Sequence, residues 1–506
     1  MFPGFATPPG TEDLAAQNPE LDYLPLGRTG LKTSAVGFGG YRISLAVPQH
    51  AAALNRALQC GVNLIDTSTN YADGDSERLV GQVLGKGTQA NEVRRDQVIV
   101  VSKVGYLQGR NYARSQERKA QGNAFAELVE YGEGLEHCIH PDFIADQLDR
   151  SLRRLNLETI DICLLHNPEY YLTWARKQGR DLQTGRQEYY RRIENAFAHL
   201  EREVARGRIR WYGVSSNTFP DPAEGAEFTS LTEILEAAAR VSQEHHMGII
   251  ELPLNLLENG AVLQANQPDG QSVLELAHAR QIGVLINRPL NAFAGQRLLR
   301  LSEVPDSGDY STPEILQAIN ALSKSEKRFQ QKFLLQLGVP GPLTQRINAQ
   351  LGVADQLKHY WRNFSTFERW RHVQDNFFLP RVQGALLYLR QHESTQQDLA
   401  LWIDDHTCRL KKALMAVGSQ YITGARRQVT SLRRKVRSAD PQWAEAETLS
   451  QMAIRAVRST HGVSCVLVGM RQSSYVADIL AELRRPIQTL DRKTSWRRMA
   501  EMSATD

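Results

Sequence analysis

Short apolar runs rich in Val and Ile recur along the chain, separated by longer amphipathic or polar stretches. Eight such runs stand out: Ser34–Gly39, Val62–Asp66, Val98–Lys103, Ile160–His166, Ile209–Val214, Gly248–Leu252, Gly283–Ile286 and Val463–Val468. Runs of this length that are apolar on both faces read as buried parallel strands. Helix-like periodicity lies between them, over Pro48–Cys60, Asp75–Leu84, Pro141–Leu155, Gln187–Arg206, Leu231–Ser242 and Gln271–Gln281. The alternation predicts an α/β chain whose eight βα units close into a (β/α)8 TIM barrel.

Two stretches break the spacing. Tyr106–His140 is glycine-rich, charged and too long for an ordinary βα connection, so a flap over the barrel mouth is expected. The larger excess lies between the seventh and eighth runs. There, helical periodicity appears in Pro313–Leu337, Leu343–Gln356, Gly384–Arg390, Gln397–Met415 and Trp443–Arg458, with a break at Gly338–Pro342. The reading is a large helical insertion between strands 7 and 8. The expected division is an extension over 1–25, strands 1–7 of the barrel over 26–300, the insertion over 301–445, and the last barrel helix, strand 8 and C-terminal segment over 446–506.

Composition narrows the class. The chain of 506 residues is 42% hydrophobic and 23% charged, and no run approaches the length of a membrane span. The opening residues hold Pro3, Pro8, Pro9 and Pro19 and do not pattern as a secretory leader. Five widely spaced cysteines without paired motifs fit a reducing compartment, and a cytoplasmic location is expected. A net charge of +4 is too mild to argue for nucleic acid.

In a parallel barrel the chemistry gathers at the carboxyl ends of the strands. Here those ends are Asp66, Lys103 and His166 on three successive strands, with Tyr71 five positions beyond Asp66. A phenol is a poor acid at neutral pH unless a cation stabilises its anion, and Lys103 is placed to do so. Asp66 would keep that lysine charged, and His166 would orient a substrate oxygen beside the phenol. Each residue alone has a plainer reading as a loop acid, a solvated strand end or a core histidine. Together they point to proton transfer.

The ordered set resembles the aldo/keto reductase superfamily. The resemblance rests on Leu26–Leu31 with Gly37–Tyr41, on Asn70-Tyr71-Ala72, on Ser102–Gly105, and on Ser151–Leu155 leading to Asp161 and Leu164-Leu165-His166. Gly213–Asn217 and Val466–Arg471 complete it. It implies a catalytic tetrad of Asp66, Tyr71, Lys103 and His166, and metal-free hydride transfer from NADP(H), with NAD(H) as the other candidate, to a small-molecule aldehyde or ketone. The cofactor site it implies comprises Gly39, Gly40, Tyr41, Asp66, Ser215, Ser216, Glu251, Asn287, Arg288, Pro289, Leu290, Gly469, Met470, Arg471 and Tyr475. Arg471 would pair with a phosphate of the adenosine half.

The chain departs from the family where Glu251 replaces a glutamine that contacts the carboxamide, and where Asn287 replaces an aromatic that stacks under the nicotinamide. Glu251 and Arg288 have an alternative reading as partners of each other, and Ser215 and Ser216 as helix caps. His137-Cys138-Ile139-His140 resembles half a metal site but lacks further ligands, and no metal is expected. The run His359–Phe364 with Trp370 reads first as a packed amphipathic helix. Lys411, Lys412, Arg426, Arg427, Arg433, Arg434, Lys435 and Arg437 read first as a solvated helix face, with an anionic partner as the alternative. The competing function is a cofactor-sensing or partner-binding protein that keeps the barrel with little turnover.

Overall fold

In the computed structural model, the described residues are all except 295–296, 305–307, 335–340, 392–396 and 505–506. Eight parallel strands close a barrel: β1 (Val36–Gly39), β2 (Leu64–Asp66), β3 (Ile99–Val104), β4 (Ile160–His166), β5 (Ile209–Ser215), β6 (Met247–Pro253), β7 (Gly283–Asn287) and β8 (Cys465–Val468). Each pairs with its neighbours in sequence, and β8 returns to β1. All eight expected strands are present. The first is shorter than expected because Lys32–Ser34 belongs instead to a hairpin with Tyr23–Pro25, and Ala35 leaves that hairpin to enter β1.

The register explains why the barrel is dry below and polar above. Inward positions along the strands are Leu64, Ile99, Val101, Ile162, Leu164, Ile249, Leu285, Cys465 and Leu467, which form one buried cluster. Alternate residues of a strand share a face. Two positions beyond these apolar residues, the same face carries Asp66, Lys103, His166, Glu251 and Asn287. The pairing Asp66 with Val101, Lys103 with Leu164, and Ser215 with both His166 and Glu251 holds them in one polar layer at the carboxyl end. Gly213 permits the closure of β5 on β6, since a Cβ there would lie 1.7 Å from the Ile249 carbonyl oxygen. The opposite end is plugged by Leu26 and Leu31 of the hairpin, with Arg28 donating to the carbonyl of Met247 at 2.6 Å.

The expected flap is a folded element. Tyr106–Leu107, Leu135–His137 and Val129–Gly132 form a three-stranded antiparallel sheet, and helix Gly109–Ala120 lies between its first strand and the other two in sequence. Glycine and charge in this stretch serve a small sheet rather than an irregular loop.

The chain divides into two compact units, Met1–Arg297 with Lys435–Asp506, and Leu298–Arg434. The second is helical, with Thr312–Arg328, Gly341–Leu351, Ala354–Tyr360, Phe367–Val373 and Leu379–Gln391 among its helices. Its core contains Ile315, Leu322, Phe329, Trp370, Trp402 and Leu414. The expected helix through Leu337 and the break at Gly338–Pro342 fall partly outside the described residues. Trp361 and Trp370 are buried while Tyr360 is exposed, so the aromatic run is a packed helix face. Helix Gln397–Ala439 spans 43 residues and runs well past Met415, taking in the whole basic stretch. No helix among the described residues is long and apolar enough to cross a membrane.

Candidate functional site

Tyr71 reaches the polar layer because the loop after β2 stays attached to β3. The amides of Thr67 and Thr69 donate to the carbonyls of Val101 and Lys103 at 2.9 and 3.1 Å. A tight turn over Tyr71–Gly74, with Ala72 and Asp73 at φ 48° and 56°, then folds the phenol inward. Gly40 lets β1 approach this loop: its amide donates to Asp66 O at 2.8 Å, and a Cβ would meet that oxygen at 2.7 Å.

Lys103 is 1% exposed and forms the centre of the site. Its ammonium donates to Asp66 Oδ1 and, at 3.2 Å, to the Tyr71 hydroxyl oxygen. Glu251 Oε2 lies a further 3.2 Å from the same nitrogen. Burial works against the ammonium, but Asp66 and Glu251 outweigh it and hold Lys103 above its ordinary value. Burial pushes Asp66 up to about 7 against the pull of Lys103, and Glu251 adds to the rise. Burial likewise raises the Tyr71 phenol, opposed by Lys103, so the hydroxyl keeps its proton.

His166 closes the site opposite Tyr71, their rings edge to face with centroids 5.8 Å apart. Burial, then the Lys103 charge, hold its imidazole well below the ordinary range, and it is neutral. Ser68 Oγ lies 3.0 Å from His166 Nδ1, 2.7 Å from Asn70 Oδ1 and 3.3 Å from Lys103 O. Ser68 has one proton to give: if it goes to His166 Nδ1, the imidazole carries its hydrogen on Nε2, and if it goes to Asn70 Oδ1 or Lys103 O, Nδ1–H donates to Ser68 Oγ. His137 Nε2 lies 2.7 Å from His166 O and fixes the end of β4 from beneath. Tyr106 packs edge-on against His166 and Tyr170, and Tyr41, 62% exposed, packs edge-on against Tyr71. Ser68, Tyr106 and Tyr170 were not singled out from sequence, and His137 was read only as part of a half metal site. Their only signal was proximity to strand ends, or to the flap, which does not reveal direction.

The proposed cofactor residues divide. Ser215 Oγ and Asn287 Nδ2 both donate to Glu251 Oε1, at 3.1 and 3.0 Å. Among the described residues, Glu251 Oε2 and Asn287 Oδ1 are buried without a hydrogen-bond partner, although the former lies at ion-pair distance from Lys103. Two orphaned acceptors on adjacent strands suit an amide nitrogen with two hydrogens, so the residues present fit a nicotinamide carboxamide. The Ser216 hydroxyl instead joins Thr218 and Thr229 behind the sheet. Arg288, at φ 51°, pairs with Glu258 at 2.8 Å and lies over the Phe293 ring. The suggested Arg288–Glu251 pair is therefore absent: Lys103 claims Glu251, and the left-handed backbone sends Arg288 elsewhere. Pro289 and Leu290 follow directly. Gly39 sits against Val468, and Gly469, Met470 and Arg471 leave β8 beside it, with Met470 buried and Tyr475 40% exposed on the following helix.

His137 and Cys138 have other work: His137 supports His166, and Cys138 donates weakly to Ala126 O. Among the described residues no group of three or more His, Cys, Asp or Glu is arranged to hold a metal ion.

Comparison with known proteins finds sequence similarity over the barrel part of the chain. The profile of the Aldo/keto reductase family matches residues 35–267. L-galactose dehydrogenase of Arabidopsis thaliana is 31% identical over 157 residues, 30% of this chain and 40% of the plant protein. The NADH-specific methylglyoxal reductase of Escherichia coli (strain K12) is 27% identical over 263 residues, 50% of this chain and 68% of that protein. This chain thus spans less than half the length of the first relative. A crystal structure of an aldo/keto reductase from Klebsiella pneumoniae in complex with NADP and acetate aligns with TM-score 0.33 at 21% identity, covering 53% of this chain and 68% of that one. The ordered motifs, the eight-stranded closed barrel and the match over residues 35–267 make this part of the chain similar to the aldo/keto reductase family.

Proposed function

We propose that this oxidoreductase reduces an aldehyde or ketone to an alcohol, with Tyr71 as general acid and Asp66, Lys103 and His166 in support. The observation that carries the reading is the 3.2 Å contact between Lys103 Nζ and the Tyr71 hydroxyl, with Asp66 on the far side of the ammonium. When bound, a reduced nicotinamide dinucleotide supplies the hydride to the carbonyl carbon. Tyr71 gives its proton to the carbonyl oxygen as the C=O π bond opens, and the fixed Lys103 charge stabilises the phenolate left behind. Proton transfer runs downhill because an alkoxide is a far stronger base than a phenolate. His166, neutral, directs a ring hydrogen to the same oxygen and orients it. The tyrosine is reprotonated from solvent before the next turnover.

Ser215, Glu251 and Asn287 would hold the carboxamide, and Gly39, Gly40, Tyr41 and Gly469–Arg471 would line the rest of the cofactor path. NADP(H) is the proposed cofactor, on the strength of Arg471, and NAD(H) is its rival, since one relative is named NADH-specific. Methylglyoxal and sugar carbonyls head the substrate list by analogy with the relatives' names. A cytoplasmic setting suits five unpaired cysteines. In the helical unit, Arg426, Arg427 and Arg434 line a cleft of about 470 Å³ with Thr423, Thr430, Ser431 and Asp309, and its charge suits an anionic partner.

The test is absorbance-monitored oxidation of NADPH and NADH against a panel of aldehydes, ketones and sugars. Carbonyl-dependent consumption supports the reading. Tight cofactor binding without consumption across the panel would instead favour a cofactor sensor, a reading whose one structural support is Glu251, a second carboxylate that opposes phenol ionisation.

A further inference from the structure

The catalytic reading uses one carboxylate beside Lys103, yet the barrel floor holds two. Asp66 from β2 and Glu251 from β6 approach the ammonium from opposite sides of the barrel, and all three side chains are buried, at 4%, 2% and 1% exposure. Glu251 is not a bystander that drifted near the lysine. Ser215 Oγ and Asn287 Nδ2 clamp its Oε1, which leaves Oε2 turned toward the ammonium and into the site. Two carboxylates against one ammonium leave a net charge of −1 when all three are ionised, which for Asp66, pushed up to about 7 by burial, means above that pH. The neighbouring His166 is neutral and Tyr71 keeps its proton, so neither cancels that charge. A lone excess charge in a water-poor interior is costly, and a cation arriving at the floor relieves the cost.

We propose that Glu251 is a positioning residue that makes this floor electronegative, so that it binds the oxidised, cationic form of the nicotinamide ring in preference to the reduced, neutral form. The inference rests on the nicotinamide reading above and adds to it a direction. A glutamine at this place can keep the two bonds that Oε1 accepts from Ser215 and Asn287, but it carries no charge and offers Lys103 no acceptor in place of Oε2. Glutamate keeps the hydrogen bonds and adds one negative charge. The added charge favours the state reached after hydride has left the cofactor, and so favours carbonyl reduction on the protein, at the expense of slow release of the oxidised cofactor. The same charge keeps the Tyr71 proton in place until the hydride leaves, so the two transfers are tied together.

The experiment is equilibrium binding of NADP+ and NADPH to the whole protein, by titration calorimetry and by reduced-cofactor fluorescence, for wild type, Glu251→Gln and Asp66→Asn. Wild type is expected to show a ratio of oxidised to reduced affinity about tenfold larger than Glu251→Gln, as expected for one charge acting across a partly screened interior. Asp66→Asn removes the same charge from the opposite strand and is expected to shift the ratio in the same direction. A structural role for Glu251 would weaken both cofactor forms together and leave the ratio unmoved. Binding of both forms with an unchanged ratio in Glu251→Gln would overturn this inference while leaving the reductase reading intact. Failure of either form to bind wild type would overturn both.

Discussion

Glu251 Oε2 lies 3.2 Å from Lys103 Nζ, and the two residues come from strands on opposite sides of the barrel, β6 and β3. Lys103 therefore sits between two acids rather than beside one. The relationship ties the stability of the barrel floor to its chemistry, because any change at one of the three groups is felt by the other two.

Lys103→Met removes the cation and leaves Asp66 and Glu251 facing each other in a dry interior. Breaking a buried ion pair from one side costs about 3–5 kcal/mol. Urea unfolding of the variant at pH 8 is expected to show a loss of that order, and carbonyl turnover is expected to vanish with it. An unchanged unfolding midpoint would mean that the ammonium contributes nothing to the floor.

Glu169 provides a test of pH dependence away from the proton donor. Burial pushes its carboxyl up to about 7, against the amide of Asn217, which donates to it at 2.9 Å. Between its unfolded value and 7, the folded protein holds a proton that the unfolded chain has lost, so stability through this group falls as pH rises and levels off above 7. Glu169→Gln removes that slope. Relative to wild type, the variant is expected to gain up to about 3 kcal/mol between pH 4 and pH 8 in denaturant titrations. Parallel stability curves for the two proteins would contradict the assignment.

Gly213→Ala tests the closure of the barrel. The added Cβ would fall 1.7 Å from Ile249 O, a backbone atom that cannot rotate aside. A loss of at least about 3 kcal/mol is expected, read as a lowered thermal midpoint or as insoluble protein. A variant that melts with wild type would show that β5 and β6 do not pair as described.

Strand ends were legible because apolar runs change character there. Asp66, Lys103 and His166 each close such a run, so their convergence followed from barrel geometry alone, and Tyr71 followed from its distance to Asp66. Glu251 was singled out as a candidate cofactor contact but not as a partner of Lys103, because a contact across the barrel depends on side-chain reach, which spacing does not encode. The same limit produced the mistaken pairing with Arg288, whose left-handed backbone turns it to Glu258. Ser68 was passed over, and His137 was weighed only as a metal ligand, because a hydroxyl and a buried histidine have many ordinary uses and only direction distinguishes the ones that hold His166. The flap was visible as excess length, whereas its sheet was hidden by strands as short as Tyr106–Leu107. The basic stretch was read as a solvated helix face, although the helical periodicity was traced only to Met415, and it lies on the one helix Gln397–Ala439.

The most direct measurement of the central claim is single-turnover oxidation of bound NADPH by a reactive aldehyde, compared between wild type and Tyr71→Phe, with cofactor affinity measured in parallel. The phenylalanine ring keeps the packing against Tyr41 and His166 and loses only the hydroxyl. Turnover is expected to fall by roughly 10²–10⁴-fold with cofactor affinity held within about twofold, the range for loss of a positioned general acid. A Tyr71→Phe protein that oxidises NADPH at the wild-type rate would contradict the account.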